Sequence, residues 1–324
     1  MDDVALADLD VGARLGGGAT SEVRVAVVRR TGVAYALKAV AKASIVGRAQ
    51  LERLFREKEL LASTADAAVV RLHATLQDEA RVYLLLELAA GGELLWHLRR
   101  ARPRPALPEA SVRVVIAQLA LPLQRLWERG VLYRDLKPTN VLFDAAGRLK
   151  LADFGHAKRV ALGERSTSLV GTPHYLAPEA VAGRGHALGA QLWALGVLLF
   201  EALAGEPPFA YADCDAAELR RRIEHEPAPL GVLRGAGASA DALALADALL
   251  AKSEEERGAA FPDGFASVRA HRWFDGLDWR AIESGALVPA GLNFGAHAQF
   301  VLGGGRRGAV PVADGQPAGP FDDF

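Results

Sequence analysis

Cysteine is nearly absent from this chain: Cys214 is the only one in 324 residues. One thiol can form neither an internal disulfide nor a cysteine-based zinc site, so a reducing compartment is the simplest setting and the thiol reads as packing. An excess of one charge is missing too. The 38 Lys and Arg face 39 Asp and Glu, a formal net charge of −1. Such a balance has no basic field to draw in nucleic acid or an anionic membrane, so no nucleic-acid partner is expected. Long apolar runs are also lacking, since residues 195–203 are too short and too interrupted to span a bilayer. The acidic start Met1-Asp2-Asp3-Val4-Ala5 has none of the basic flank and apolar stretch of a leader. These absences predict a cytoplasmic protein with no membrane segment. The Arg/Pro cluster at 99–105 reads as a solvated loop between two helices, with a nuclear address as the alternative. What remains is 51% hydrophobic and 24% charged residues, enough for a large core in one two-lobed domain or two small ones.

Periodicity divides the chain. Val23, Val25 and Val27 alternate on one face of a strand, and Ala34 and Ala36 beyond the turn Thr31-Gly32 predict its hairpin partner. Residues 50–62 change to helical period, with Leu51, Leu54, Phe55, Lys58 and Leu61 spaced by three and four, and residues 82–88 return to a buried strand. One helix therefore interrupts a small antiparallel sheet. After the joint Ala89-Ala90-Gly91-Gly92 the pattern is mainly helical, at 111–129, 190–204 and 240–251. The run Glu254-Glu255-Glu256 reads as a solvated helix end. From Gly303 onward Gly, Pro and Ala rise and periodicity vanishes, the composition of a poorly ordered tail that closes on Phe321-Asp322-Asp323-Phe324.

The segment Tyr133-Arg134-Asp135-Leu136-Lys137-Pro138-Thr139-Asn140, with Asp153-Phe154-Gly155 after it, carries the chemistry. Asp135 can accept a hydroxyl proton, Asn140 and Asp153 can hold a divalent cation, and the charge of Lys137 can neutralise a transferring phosphoryl group. Upstream, Gly16, Gly18, Ser21 and Val23 fall on a Gly-x-Gly-x-x-Gly-x-Val pattern, with Ser21 where the third Gly would stand. Glycines admit backbone amides close to phosphate oxygens, although a hairpin turn has the same composition. Its place between two strand patterns excludes a Walker-type or dinucleotide loop. Lys38 lies on the following strand, and Glu57, nineteen residues later on the apolar face of the helix, is its natural ion-pair partner.

These motifs resemble the catalytic domain of the AGC group of protein serine/threonine kinases, most nearly the cyclic-nucleotide-dependent kinases. Tyr in place of His before Arg134-Asp135, Leu86-Glu87-Leu88-Ala89-Ala90-Gly91-Gly92-Glu93-Leu94 and His271-Arg272-Trp273-Phe274 carry the resemblance. Lys42-Ala43-Ser44-Ile45-Val46, Gly185-His186 and the segment from Phe274 to Trp279 tilt it toward the cGMP-dependent branch. It implies an α+β bilobal fold, with an antiparallel-sheet N-lobe at 9–88, a helical C-lobe at 93–274 and a C-terminal tail at 275–324. It further implies ATP and Mg2+ as cofactors and proteins bearing Ser or Thr as substrates. Carried over, Val23, Ala36, Leu86, Glu87 and Leu88 surround the adenine, with Leu86 as gatekeeper. Glu93 reaches the ribose and a substrate arginine. Lys38 with Glu57 positions the phosphates, while Leu61, Leu72, Tyr133 and Phe154 form a stack joining the lobes. Ser168 is the activation-segment phosphosite, gripped by Arg134, Lys158 and Arg53. Leu169, Pro173 and Leu176 receive the residue after the acceptor, Glu201 is a second acidic contact, and Glu179 pairs with Arg257. The terminal Phe-x-x-Phe is expected to dock on the small lobe, and Phe294 and Phe300 are candidates for the aromatic that crosses the nucleotide cleft.

Three positions depart from the group. Gln191 replaces an Asp that accepts catalytic-loop hydrogen bonds, and Thr139 and His174 replace two acids that bind substrate arginines. A slower reaction and a weakened basic preference are expected, with a pseudokinase scaffold that binds nucleotide or partners as the second reading. No cyclic-nucleotide-binding module is recognisable, so either a separate regulatory subunit or an upstream activating kinase is expected to control it, or the chain is a fragment or a free-standing catalytic unit.

Overall fold

In the computed structural model the described residues are 4–18, 20–101, 106–161, 164–210, 214–303, 308–309, 321 and 324. They form two compact units: Met1–Gly92 with Phe143–Ala146 and Asn293–Phe324, and Glu93–Leu142 with Gly147–Leu292. The tail from Asn293 thus belongs to the first unit. Most of the segment read as a disordered tail, 304–307 and 310–320, and most of the Arg/Pro cluster, 102–105, lie outside the described residues.

The first unit is built on strands β1 (Leu9–Gly17), β2 (Ser21–Val28), β3 (Ala34–Ala41), β4 (Leu72–Gln77) and β5 (Arg81–Glu87), with helix α1 (Arg48–Ser63) between β3 and β4. All neighbours pair antiparallel, in the order β1-β2-β3-β5-β4. Alternation divides the side chains as the sequence implied. Leu9, Ala26, Val28, Leu37, Tyr83 and Leu85 make one apolar cluster, and Val25 and Val27 enter another. The β2–β3 turn uses Gly32 at φ 70°, a left-handed conformation open to Gly at no steric cost. On α1 the buried positions are Leu54, Glu57, Leu60 and Leu61, one stripe at three- and four-residue spacing with a single carboxylate inside it.

The second unit begins with short strand β6 (Gly92–Glu93), shared with the boundary, then α2 (Leu94–Arg100) and α3 (Glu109–Glu128). Strands β7 (Val131–Leu132), β8 (Val141–Phe143), β9 (Leu149–Leu151) and β10 (Lys158–Arg159) frame the catalytic-loop sequence. Helices α4 (Pro178–Val181), α5 (Leu188–Ala204), α6 (Ala216–His225), α7 (Leu230–Gly235), α8 (Ala240–Leu249), α9 (Glu254–Ala260), α10 (Phe265–Arg269) and α11 (Trp279–Glu283) follow. Residues 189–203 of α5 are all buried, as expected of a helix apolar all round. Each fully buried Leu there contributes roughly 1.5–3 kcal/mol. The acidic run that read as a helix end is the first turn of α9, capped by Ser253 Oγ on the Glu256 amide at 3.3 Å. Three carboxylates there complement the positive end of the helix dipole.

The first unit closes with α12 (Phe294–Gly303) and β11 (Gly308–Ala309), which pairs antiparallel with β1 through Asp10–Ala309 and Val11–Gly308. Val301 of α12 joins Val25 and Val27, with Leu15 and Leu88 packed beside them. The tail thereby covers an apolar sheet face and pairs an edge strand. No described helix is long and apolar enough to cross a membrane.

Candidate active site

In the first unit the sequence-selected residues converge on β1 to β3 and β5. The register sets Val23 opposite Lys38 and Ala36 opposite Leu86. Lys38 Nζ lies 2.6 Å from Glu57 Oε1, with the side chains 14% and 5% exposed. A buried carboxylate on an apolar helix face needs such a partner. At the glycine loop Gly17, rather than the two motif glycines, is fixed by the protein itself. It sits at φ 148°, and a Cβ there would lie 2.4 Å from the Ser21 carbonyl oxygen. A Cβ at Gly16 or Gly18 would meet no protein atom within 4 Å. Packing does not explain these two glycines, which leave room for a close approach to the backbone. Ser21 Cα starts β2, and its carbonyl accepts the Gly18 amide at 2.9 Å; Ala19 lies outside the described residues. Leu86 is buried, Leu88 half-buried, and the Glu87 amide and carboxylate hold the Arg71 backbone at 2.8 and 3.2 Å.

The tail meets this unit at two places. His297 Nδ1 lies 2.8 Å from the Ala90 carbonyl oxygen, and Phe294 packs on Phe143 with ring centroids 5.1 Å apart. The Phe300 side chain is outside the described residues. Phe324 sits edge-to-face on Phe55 of α1 at 5.7 Å, and its main-chain oxygen accepts from Lys58 Nζ at 3.0 Å and Thr75 Oγ1 at 2.6 Å. Gln77 Nε2 donates to the Phe321 carbonyl at 3.0 Å, while Lys42 Nζ stands 5.1 Å over the Phe321 ring.

In the second unit Asp135 is 2% exposed, and its carboxylate is surrounded. Oδ2 accepts from Lys137 Nζ at 2.7 Å and Asn140 Nδ2 at 3.0 Å, and Oδ1 from Thr172 Oγ1 at 2.8 Å. Thr172 escaped the sequence reading. Its only signal was the Gly171-Thr172-Pro173 string within the activation segment. Arg134 and Asp153 are the only described non-glycine residues with positive φ, 67° and 53°. Such strain costs of order 1–3 kcal/mol and collects at functional sites. The Asn140 carbonyl oxygen accepts the Ala152 amide at 3.0 Å, which keeps Asn140 beside the chain entering Asp153. Asp153 Oδ1 accepts from the Gly155 amide at 3.3 Å. One amide oxygen and one carboxylate suit a hard, oxygen-seeking cation that takes its other ligands from phosphate and water, as Mg2+ does. Among the described residues no group of three His, Cys, Asp or Glu forms a self-sufficient metal cage. Within this unit the Tyr133 and Phe154 rings meet at 5.2 Å.

The activation segment is tied to the catalytic loop through Arg134. Its Nη1 donates to Ser166 Oγ at 2.6 Å and to the exposed Ser168 Oγ at 2.8 Å, and its Nε to the His156 carbonyl at 2.7 Å. Lys158 instead pairs with Glu164 at 3.7 Å, and Arg53 is an exposed residue of α1 in the first unit. Gly171, at φ 118°, lets the segment pass the Arg134 carbonyl, which a Cβ would approach to 2.8 Å. Leu169 is 55% exposed, Pro173 exposed and Leu176 half-buried. Glu201 is buried under a hydrogen bond from the Tyr175 hydroxyl. Burial raises the pKa of both Glu201 and Glu93, and the Arg99 guanidinium opposes the rise at each. Glu179 and Arg257 form a buried pair at 2.5 Å, with Arg257 also donating to the carbonyls of Gly189 at 3.1 Å and Ala251 at 2.6 Å.

The family model of the protein kinase domain matches residues 9–274. The chain belongs to the protein kinase family. It is 36% identical over 292 residues to the cAMP-dependent protein kinase catalytic subunit of Dictyostelium discoideum, covering 89% of this chain and 43% of that protein. To cGMP-dependent protein kinase 2 of Homo sapiens it is 33% identical over 291 residues, covering 86% and 36%. The serine/threonine-protein kinase AtPK2/AtPK19 of Arabidopsis thaliana shares 32% over 287 residues, covering 89% and 59%. The chain thus spans less than half the length of the first two. These similarities agree with the AGC resemblance and with the bilobal kinase fold.

Proposed function

We propose that this kinase transfers the γ-phosphate of ATP to serine or threonine hydroxyls of proteins, using Mg2+. The observation that carries the reading is the Asp135 carboxylate, held at both oxygens by Lys137, Asn140 and Thr172. An oriented acceptor-only carboxylate takes the hydroxyl proton as the oxygen attacks phosphorus. The adjacent Lys137 ammonium neutralises charge on the equatorial phosphoryl oxygens. Asn140 and Asp153 would hold the metal, whose charge screens the phosphates when bound. Lys38, kept in place by Glu57, binds phosphate oxygens, while Gly16, Gly18 and Ser21 present main chain to them. Val23, Ala36, Leu86 and Leu88 surround the adenine, the Glu87 backbone meets its edge, and Glu93 takes the ribose. The kinase domain is assigned to 9–274, with lobes at 9–88 and 93–274 and a tail at 275–324.

Ser168 is the activating phosphosite. Arg134 already contacts its hydroxyl, and a phosphate there would strengthen that contact into a charge-assisted one, with Lys158 and Arg53 as further cations. An upstream kinase, or a separate regulatory subunit, is the expected source of control. Leu169, Pro173 and Leu176 receive the residue after the acceptor. Preference for arginine is weakened, because Thr139 and His174 carry no negative charge and both Glu93 and Glu201 already feel Arg99. The setting is the cytoplasm, with the nucleus as the alternative. The test is incubation with Mg-ATP and serine peptides with and without flanking arginines, read by mass spectrometry. Phosphoserine is expected, with arginine changing kcat/KM by less than about tenfold, the scale of ~1.4 kcal/mol. Absence of phosphoserine would leave the scaffold reading in its place.

A further inference from the structure

Below the catalytic loop the second unit holds a cavity of about 20 Å³, lined by Tyr133, Thr172, Tyr175, His186 and Gln191 among others. Two polar atoms of its lining, His186 Nε2 and Gln191 Nε2, are buried without a hydrogen-bond partner, and each residue is only 5% exposed. Leaving a buried donor or acceptor unmade costs about 1–3 kcal/mol. Two such atoms around one cavity therefore point to something shared between them.

The roles of the two nitrogens follow from their other contacts. Gln191 Oε1 accepts the Tyr133 amide at 2.8 Å, so the amide's NH2, a donor only, is the group turned to the cavity. The Ser168 backbone acts on the His186 ring in the sense that favours a ring N–H donor. Burial first, then the Arg134 and Arg165 guanidiniums, push its pKa down to about 4, so the ring is neutral near pH 7. In a neutral imidazole one nitrogen donates and the other accepts, which leaves Nε2 as the acceptor. Arg165 is itself paired with Glu254 at 2.9 Å, and Arg134 with the two serines. A donor and an acceptor thus face one cavity whose lining is otherwise mainly apolar, and one water needs roughly 10–15 Å³ on this measure.

We infer that one buried water accepts from Gln191 Nε2 and donates to His186 Nε2, making His186 a positioning residue that links the activation segment to the catalytic loop. The link runs from the Ser168 backbone through the ring, the water and Gln191 to the Tyr133 amide, two residues before Asp135. A carboxylate at 191 could accept from Tyr133 but has no donor for the water. Gln191 is then one half of a matched pair with His186 rather than a weakened acid. This rests on the reading of 133–140 as the catalytic loop.

The test is a high-resolution crystal structure of the chain together with nitrogen NMR of His186. A water within about 2.7–3.2 Å of both nitrogens and an Nδ1–H tautomer are expected. A dry cavity, or a direct Gln191–His186 hydrogen bond, would overturn the inference. In Gln191→Asp the carboxylate would favour the charged ring, so the His186 titration midpoint is expected to rise by at least about one unit, the scale of a nearby opposite charge. An unmoved midpoint in that folded variant would equally overturn it. Neither readout needs phosphate transfer, so a bridging water in an inactive protein would count against the proposed function alone.

Discussion

Two buried ion pairs of this chain, one in each unit, have the same chemistry and different surroundings. Arg257 is 0% exposed and Glu179 1%, and the guanidinium also donates to backbone carbonyls, fixing α5, α9 and the Ala177-Pro178-Glu179 turn together. Lys38 keeps 14% exposure on a strand beside the glycine loop, and its partner Glu57 lies in the apolar stripe of α1. A guanidinium has five donors in a rigid fork and suits a permanent joint, whereas an ammonium on a flexible stem can meet an incoming anion. The first pair suits a structural joint, and the second suits the ligand chemistry proposed for it. Substitutions should separate the two roles.

Of the substitutions that separate the two pairs, the largest effect is expected at Lys38→Met, which removes the cation proposed to bind the phosphates. Phosphate transfer should fall by about a hundredfold to a thousandfold, the scale of a lost electrostatic contact to the transferring group. Retained transfer in a steady-state assay would end the distinction. Arg257→Ala leaves Glu179 as a buried unpaired charge and should destabilise the second unit by about 3–5 kcal/mol, measured by urea unfolding. A loss below about 1 kcal/mol would show that the pair is not structural. Phe324→Ala removes the ring on Phe55 and disturbs the hold on Lys58 and Thr75, at a cost of about 3 kcal/mol to the docked tail, the low end for a buried Phe. Hydrogen exchange of α1 amides should rise in that variant and stay flat if the tail does not brace the helix.

A last effect, on the pH dependence of stability, concerns Lys252. Its ammonium donates to the Arg222 and Ile223 carbonyls at 3.1 and 2.7 Å and stands 4.0 Å over the Phe209 ring. Burial pushes its pKa down from 10.5 to about 7. Between those values the unfolded chain holds a proton that the folded chain has released, so stability rises with pH across that window. Thermal midpoints from pH 7 to 10 should rise less in Lys252→Met than in the parent chain. Equal slopes would mean that the carbonyls and the ring keep the amine charged.

Much of this was legible where a period or a rigid motif wrote it. The alternation of Val23, Val25 and Val27 gave the strand, and the three-and-four spacing at 51–61 gave α1, with Glu57 conspicuous inside the stripe. Other features had no local signal. Thr172 reaches Asp135 across 37 residues, and nothing in a lone Thr marks that contact. Strand β11 is two residues long, too short for any period, and it forms because β1 offers an unpaired edge. Gln191 looked like a simple loss of charge, since the cavity it shares with His186 exists only in the fold. The acidic run at 254–256 read as a solvated helix end, and it forms the first turn of α9 behind the Ser253 cap.

The rate of phosphate transfer from Mg-ATP to a serine peptide, measured for the chain and for Asp135→Asn, tests the account most directly. Asn keeps the shape of the side chain and removes its capacity as a base, so a drop of about a hundredfold to ten-thousandfold is expected. Equal rates in the two proteins would contradict it.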